Sequence, residues 1–183
     1  MDIAIVTGAA TGLGLAIARK LVETGVRVYG FGGNYSDTPF SHPDFYPVSC
    51  NLAAAFVAKY EKVLLIDANL RQPSLHLAFP RTGGQESSDT RRQGLTSVLT
   101  GECDYQEAIR PSPTAGLDLI HAGPPTASPA EVLAGYRMKE LIEGVAQHYD
   151  RVIIDSPPVL LVSDVKVLAR LVDATLLVFN AAT

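Results

Sequence analysis

Apolar runs of four to seven residues, rich in Val and Ile, alternate along the chain with stretches whose apolar residues recur at helical spacing. That alternation is the signature of parallel strands joined by crossover helices. The strand candidates are Ile3–Thr7, Arg27–Phe31, Phe45–Ser49, Lys62–Ala68, Leu117–Ala122, Arg151–Ser156 and Ala174–Asn180. Their continuous apolar character implies burial on both faces of a sheet. Between the first two, Leu13, Ile17 and Leu21 predict a helix that ends at Gly25. Asn51 is placed to cap a helix over Leu52 to Tyr60. Ser128-Pro129-Ala130-Glu131 has capping-box spacing with proline at the first helical position, and Leu133, Tyr136, Leu141, Ile142 and Val145 continue that helix. Ser163 is placed to cap a last helix through Val165, Leu168, Ala169 and Val172. The polar stretches Gly32 to Pro43 and Pro80 to Gln93 read as surface loops. The expected fold class is therefore α/β: a three-layer, doubly wound, mainly parallel sheet of the Rossmann/P-loop-like kind, in a single domain over residues 1–183.

Composition narrows the function classes. With 183 residues, 47% of them hydrophobic, the chain fills one core. A formal charge of −4 gives no general electrostatic reason to bind nucleic acid or an anionic membrane. No apolar run approaches the roughly 18 residues of a membrane span, and Met1-Asp2 leads straight into a strand pattern without a secretory h-region. The expectation is a cytoplasmic protein with a small-molecule nucleotide as its partner, and with no nucleic-acid or membrane partner. Cys50 and Cys103 have no CxxC spacing and no histidine cluster beside them, which argues for reduced structural thiols rather than a zinc site.

The first chemical signal is Thr7-Gly8-Ala9-Ala10-Thr11-Gly12-Leu13-Gly14. A strand that enters a helix through such a turn leaves backbone N–H groups facing an anion at the helix N-terminus, and a pyrophosphate is the natural occupant. Gly8 permits the tight turn, Gly12 lets a phosphate approach, and Gly14 allows close packing of helix on strand. TGAATGLG, LAIARKLVETG, VRVYGF and the later VSCNL together resemble the opening of a short-chain dehydrogenase/reductase over residues 1 to about 52. That resemblance implies cofactor contacts, to NAD or NADP, from Thr7, Gly8, Gly12, Leu13 and Gly14, with Asn51-Leu52 facing the adenine. The second strand ends in Gly30-Phe31-Gly32-Gly33-Asn34, with no acidic residue for a ribose hydroxyl and no Arg for a 2′-phosphate. No tyrosine is followed four residues later by lysine, so the proton relay of that family is missing. Tyr136 and Lys139, three apart, read as face residues of the capped helix.

From about Asn51 onward a second resemblance takes over. NLAAAF, KVLLIDANLRQPSLHLAF, GLTSVLTGE, GLDLIHAGPPTASPAEVL and YDRVIIDSPPVLLVSDVKVLARLVDATLLVF are similar to the kinase domain of bacterial tyrosine kinases of the capsule and exopolysaccharide type. Asp67 and Asp155 each end an apolar strand, a setting that brings carboxylates to the sheet edge where magnesium and phosphates gather. The resemblance makes them a metal pair and implies ATP with Mg²⁺; the alternative is that they are strand-end polar groups bonded to nearby loops. The phosphate loop G-x-x-x-x-G-K-[ST] should precede NLAAAF, yet the sequence holds no Gly-Lys pair.

Each half thus lacks what catalysis in its own family requires, and no catalytic residue is assigned. The two resemblances together suggest a chimera, engineered or recombined, joined near Asn51, with segments 1–52 and 53–183. In that arrangement the strand IAIVTG takes a central place in the sheet. Three functions follow: nucleotide or dinucleotide binding at the glycine turn without turnover, magnesium-dependent ATP binding with tyrosine-kinase-like phosphoryl transfer, or a scaffold with no ligand.

Overall fold

The computed structural model describes residues 3–5, 27–29, 48–79, 93–157 and 164–176. In chain order the elements are β1 (Ile3–Ile5), β2 (Arg27–Tyr29), α1 (Val48–Val57), β3 (Val63–Asp67), α2 (Leu75–Ala78), α3 (Leu95–Thr100), α4 (Tyr105–Ala108), β4 (Arg110–Pro111), β5 (Leu117–Ile120), α5 (Pro129–Ala134), α6 (Tyr136–Val145), β6 (Arg151–Asp155) and α7 (Asp164–Leu168). Four strands form a sheet in the order β4-β5-β3-β6. β3 pairs in parallel with both β5 and β6, and only the two-residue β4 runs antiparallel, on β5.

The period of two along each strand sorts side chains to opposite faces, and here both faces are buried. Leu64 and Ile66 of β3, Ile120 of β5, and Val152 and Ile154 of β6 meet Leu95, Leu133, Met138, Leu141 and Leu168 from α3, α5, α6 and α7. On the other face Val63, Leu65, Leu117, Leu119 and Ile153 pack on Leu52, Ala53 and Phe56 of α1. This is the expected three-layer, mainly parallel α/β fold.

Several local expectations are corrected. Val48 and Ser49 open α1 rather than closing a strand, so the helix begins before Asn51 instead of being capped by it. The helix placed after Ser128 is two helices. Gly135 takes an extended conformation (φ −65°, ψ 154°) that ends α5 and starts α6, and glycine, a poor helix former, gives up little by leaving a helix. Ser128 makes no side-chain cap bond. Instead, the Glu107 carboxylate accepts the Asp104 N–H at 3.0 Å ahead of α4. Residues 174–176 are not a strand, and the rest of Ala174–Asn180 lies outside the described residues, as do Ser163, the loop 32–43 and the helix after the glycine turn.

β1 pairs in parallel with β2, from Ile3↔Arg27 to Ile5↔Tyr29. Besides its hydrogen-bonded neighbour β3, β6 has β2 alongside it, with Cα atoms within 8 Å. Among the described residues β1 therefore lies outside β2 rather than centrally. Strands consecutive in sequence are usually neighbours in space, and β1 and β2 follow that rule.

Candidate functional site

Asp67 and Asp155 are the last residues of adjacent parallel strands and are direct register partners. Neighbouring strands lie about 4.8 Å apart, so the two carboxylates leave the sheet side by side. Strand alternation puts both on the face covered by α1, with Val63, Leu65 and Ile153. Both are buried, Asp67 completely. The first turn of α1 comes to the same place: the Cys50 thiol is pushed up first by burial and then by the charge of Asp155, with a smaller contribution from Asp67. A helix N-terminus next to two carboxylates supplies a favourable dipole.

Asp67 also organises the loop that follows it. Its Oδ1 accepts the Asn69 N–H at 3.2 Å, and its Oδ2 accepts those of Ser74 at 3.2 Å and Leu75 at 3.1 Å. Asn69 Oδ1 in turn accepts the Gln72 N–H at 3.2 Å. A carboxylate has about four acceptor positions, and three of those of Asp67 are used by described residues. Burial raises the Asp67 carboxyl to about 6, and the three N–H bonds only partly oppose it. A bound cation would restore the charged form.

Arg71, in the same loop, reaches Asp164 at the start of α7, with Nε–Oδ2 2.9 Å and Nη2–Oδ1 3.2 Å. The hydroxyls of Ser49 and Ser156 are fully buried at this end of the sheet, and Ser156 Oγ has no hydrogen-bond partner among the described residues. Sequence reasoning missed Arg71, Asp164, Ser49 and Ser156. Only Ser156, directly after Asp155, carried a positional signal. Arg71 and Asp164 are 93 residues apart, a separation that no local pattern bridges.

The other predicted site residues fall elsewhere. Thr7, Gly8, Gly12, Leu13 and Gly14 lie outside the described residues. Asn51 is in the first turn of α1, and the Leu52 side chain is in the core beneath that helix. Tyr136 and Lys139 are exposed face residues of α6, with Lys139 paired to Glu143 at 3.7 Å. Cys50 and Cys103 are free thiols. No group of three or more His, Cys, Asp or Glu among the described residues forms a metal cluster. Among the described residues a cation here would meet two protein carboxylates, with further ligands left to phosphate and water, the usual arrangement for magnesium. No helix among the described residues is long and apolar enough to cross a membrane.

Residues 47–180 match the AAA domain family model. Tyrosine-protein kinase YwqD of Bacillus subtilis (strain 168) is 38% identical over 133 residues, which are 73% of this chain and 53% of that protein. The kinase domain of Escherichia coli tyrosine kinase ETK superposes with a TM-score of 0.67 at 31% identity, covering 96% of this chain and 55% of that one. The VpsO kinase domain superposes at 0.69 and 27% identity, covering 98% and 70%. The chain thus spans about half the length of YwqD. The tyrosine-kinase resemblance is upheld. The dehydrogenase-like opening, the chimera and the NAD or NADP cofactor gain no support from these relatives, and the VpsO likeness takes in nearly the whole chain, beyond the residues given to the kinase segment.

Proposed function

The chain belongs to the AAA domain family, and from that premise we propose that it binds a magnesium–adenine nucleotide, ATP or ADP, at the edge of the sheet where Asp67 and Asp155 emerge together. The observation that carries this reading is the register pairing of the two carboxylates beneath the first turn of α1. In this reading Asp155 and Asp67 would hold Mg²⁺, directly or through water, and the metal would supply positive charge for the phosphates.

Phosphoryl transfer to tyrosine is a second reading, favoured by the 38% identity to a tyrosine kinase. Against it stands the absence of a Gly-Lys pair from the sequence, because the loop lysine supplies much of the charge stabilisation in this chemistry. Binding without efficient turnover is the reading that fits both facts.

Thermal-shift and calorimetric titrations with ATP, ADP, NAD⁺ and NADP⁺, with and without Mg²⁺, test it. The expected result is stabilisation by ATP or ADP that requires Mg²⁺; a ligand at 100 times its Kd adds about 2.7 kcal/mol. Asp155→Ala should abolish the magnesium-dependent part. Stabilisation by NAD⁺ alone, or none by any nucleotide, would refute the proposal. Transfer of the ATP γ-phosphoryl group to a tyrosine-containing peptide by the wild type but not by Asp155→Ala would establish the second reading.

A further inference from the structure

Resting on the magnesium–nucleotide reading, we propose that the Arg71–Asp164 ion pair is a positioning latch, which ties the loop leaving β3 to the helix that follows β6 and so holds the Asp67 and Asp155 sides of the site together. Each of these strands ends in one carboxylate of the site, and each is followed by one member of the pair. The ion pair is a direct side-chain link between those two connections.

Asp164 is a charge with only 1% of its side chain exposed, whereas the Arg71 side chain is 41% exposed. A buried carboxylate without a partner is costly, and its partner is therefore held firmly. The guanidinium meets it through two N–H groups, Nε at 2.9 Å and Nη2 at 3.2 Å, a fork that fixes orientation as well as distance. Arg71 belongs to a loop already closed on itself: Asp67 accepts from Asn69, Ser74 and Leu75, and Asn69 accepts from Gln72. A displacement of Arg71 is therefore passed to Asp67 through a short, bonded loop rather than absorbed by slack chain. Arg71 is placed here as a positioning residue that acts through Asp67, not as a ligand of the metal.

The test separates this role from plain stabilisation. ADP affinity is measured without Mg²⁺ and as a function of Mg²⁺ for wild type, Arg71→Ala, Arg71→Lys, Asp164→Asn and Arg71→Ala/Asp164→Asn. Arg71→Ala should raise the Mg²⁺ concentration for half-saturation roughly tenfold, as for the loss of a charge-assisted fork, with metal-free ADP affinity unchanged. Arg71→Lys should restore it in part, and the double variant should be no worse than the single one, because the two residues act as a unit. A lower melting temperature in Arg71→Ala with an unaltered Mg²⁺ requirement would overturn the latch. If the wild type shows no magnesium-dependent nucleotide binding, the functional reading falls instead. The latch is then judged by amide exchange at Asn69, Ser74 and Leu75: faster exchange in Arg71→Ala upholds it, and unchanged exchange overturns it.

Discussion

At the scale of single residues, Asp67 shows two demands on one carboxylate. Its three N–H partners shape the loop after β3, and its burial raises the carboxyl to about 6. An unfolded aspartate titrates near 3.9. Between about pH 4 and pH 6 the folded chain therefore holds a proton that the unfolded chain has released, and the stability linked to that proton is complete below this range and lost as pH rises through about 6. Asp67→Asn cannot ionise, so its melting temperature relative to wild type should improve steadily from about pH 4.5 to about pH 7, whatever constant cost the amide adds by facing N–H donors. A pH-independent difference in calorimetry would show that the carboxyl is not raised. The strand-end position of Asp67 and Asp155 was legible from sequence because an apolar run ending in Asp is a local pattern. The loop bonds of Asp67 and its ion-paired neighbour Arg71 were not, since they depend on where the chain turns after the strand.

At the scale of elements, the approach of two glycines governs how β5 leads back to α3. Gly123 has φ +86°, and a Cβ on Gly94 would sit 2.4 Å from the His121 carbonyl oxygen and 2.5 Å from the Gly123 nitrogen. Those contacts are backbone, so no side-chain rotation relieves them. The closeness lets Leu95 and Thr96 donate their N–H groups to the His121 and Ala122 carbonyls at 2.7 and 2.9 Å, which anchors the start of α3. Gly94→Ala should therefore cost about 1–3 kcal/mol, as overpacking does, and lower the melting temperature by roughly 2–4 °C for each kcal/mol. An unchanged melting temperature would mean that the two segments separate freely. Element type was read correctly where the apolar run was long, as in β3, β5 and β6. Boundaries failed at Val48, where helix replaced strand, and at Gly135, where one helix became two. At Val48 the local sequence suits either state and α1 packs on the sheet through Leu52, Ala53 and Phe56, whereas at Gly135 the extended glycine makes the break.

At the scale of the whole molecule, burial on both faces of β3 and β6 makes the sheet the frame on which the site is mounted. A ligand that bridges the two strand ends should stabilise the molecule as a unit. Adding a magnesium chelator to the ADP-saturated protein is expected to return its melting temperature to that of the metal-free ADP form, in a single transition; a melting temperature unmoved by the chelator would argue against a metal bridge. The resemblance carried by residues from about Asn51 onward agrees with the family match over 47–180. That carried by the N-terminal residues does not extend to the relatives found, and β1 stands beyond β2 instead of beside the kinase-like strands. The sequence by itself determined the α/β class, the parallel strands and the two strand-end aspartates, because periodicity and run length are local properties that burial then obeys. Only the tertiary structure decided that Asp67 and Asp155 are register partners, that α1 begins over them, and that Arg71 meets Asp164, because these depend on strand order and on contacts between residues about 90 apart.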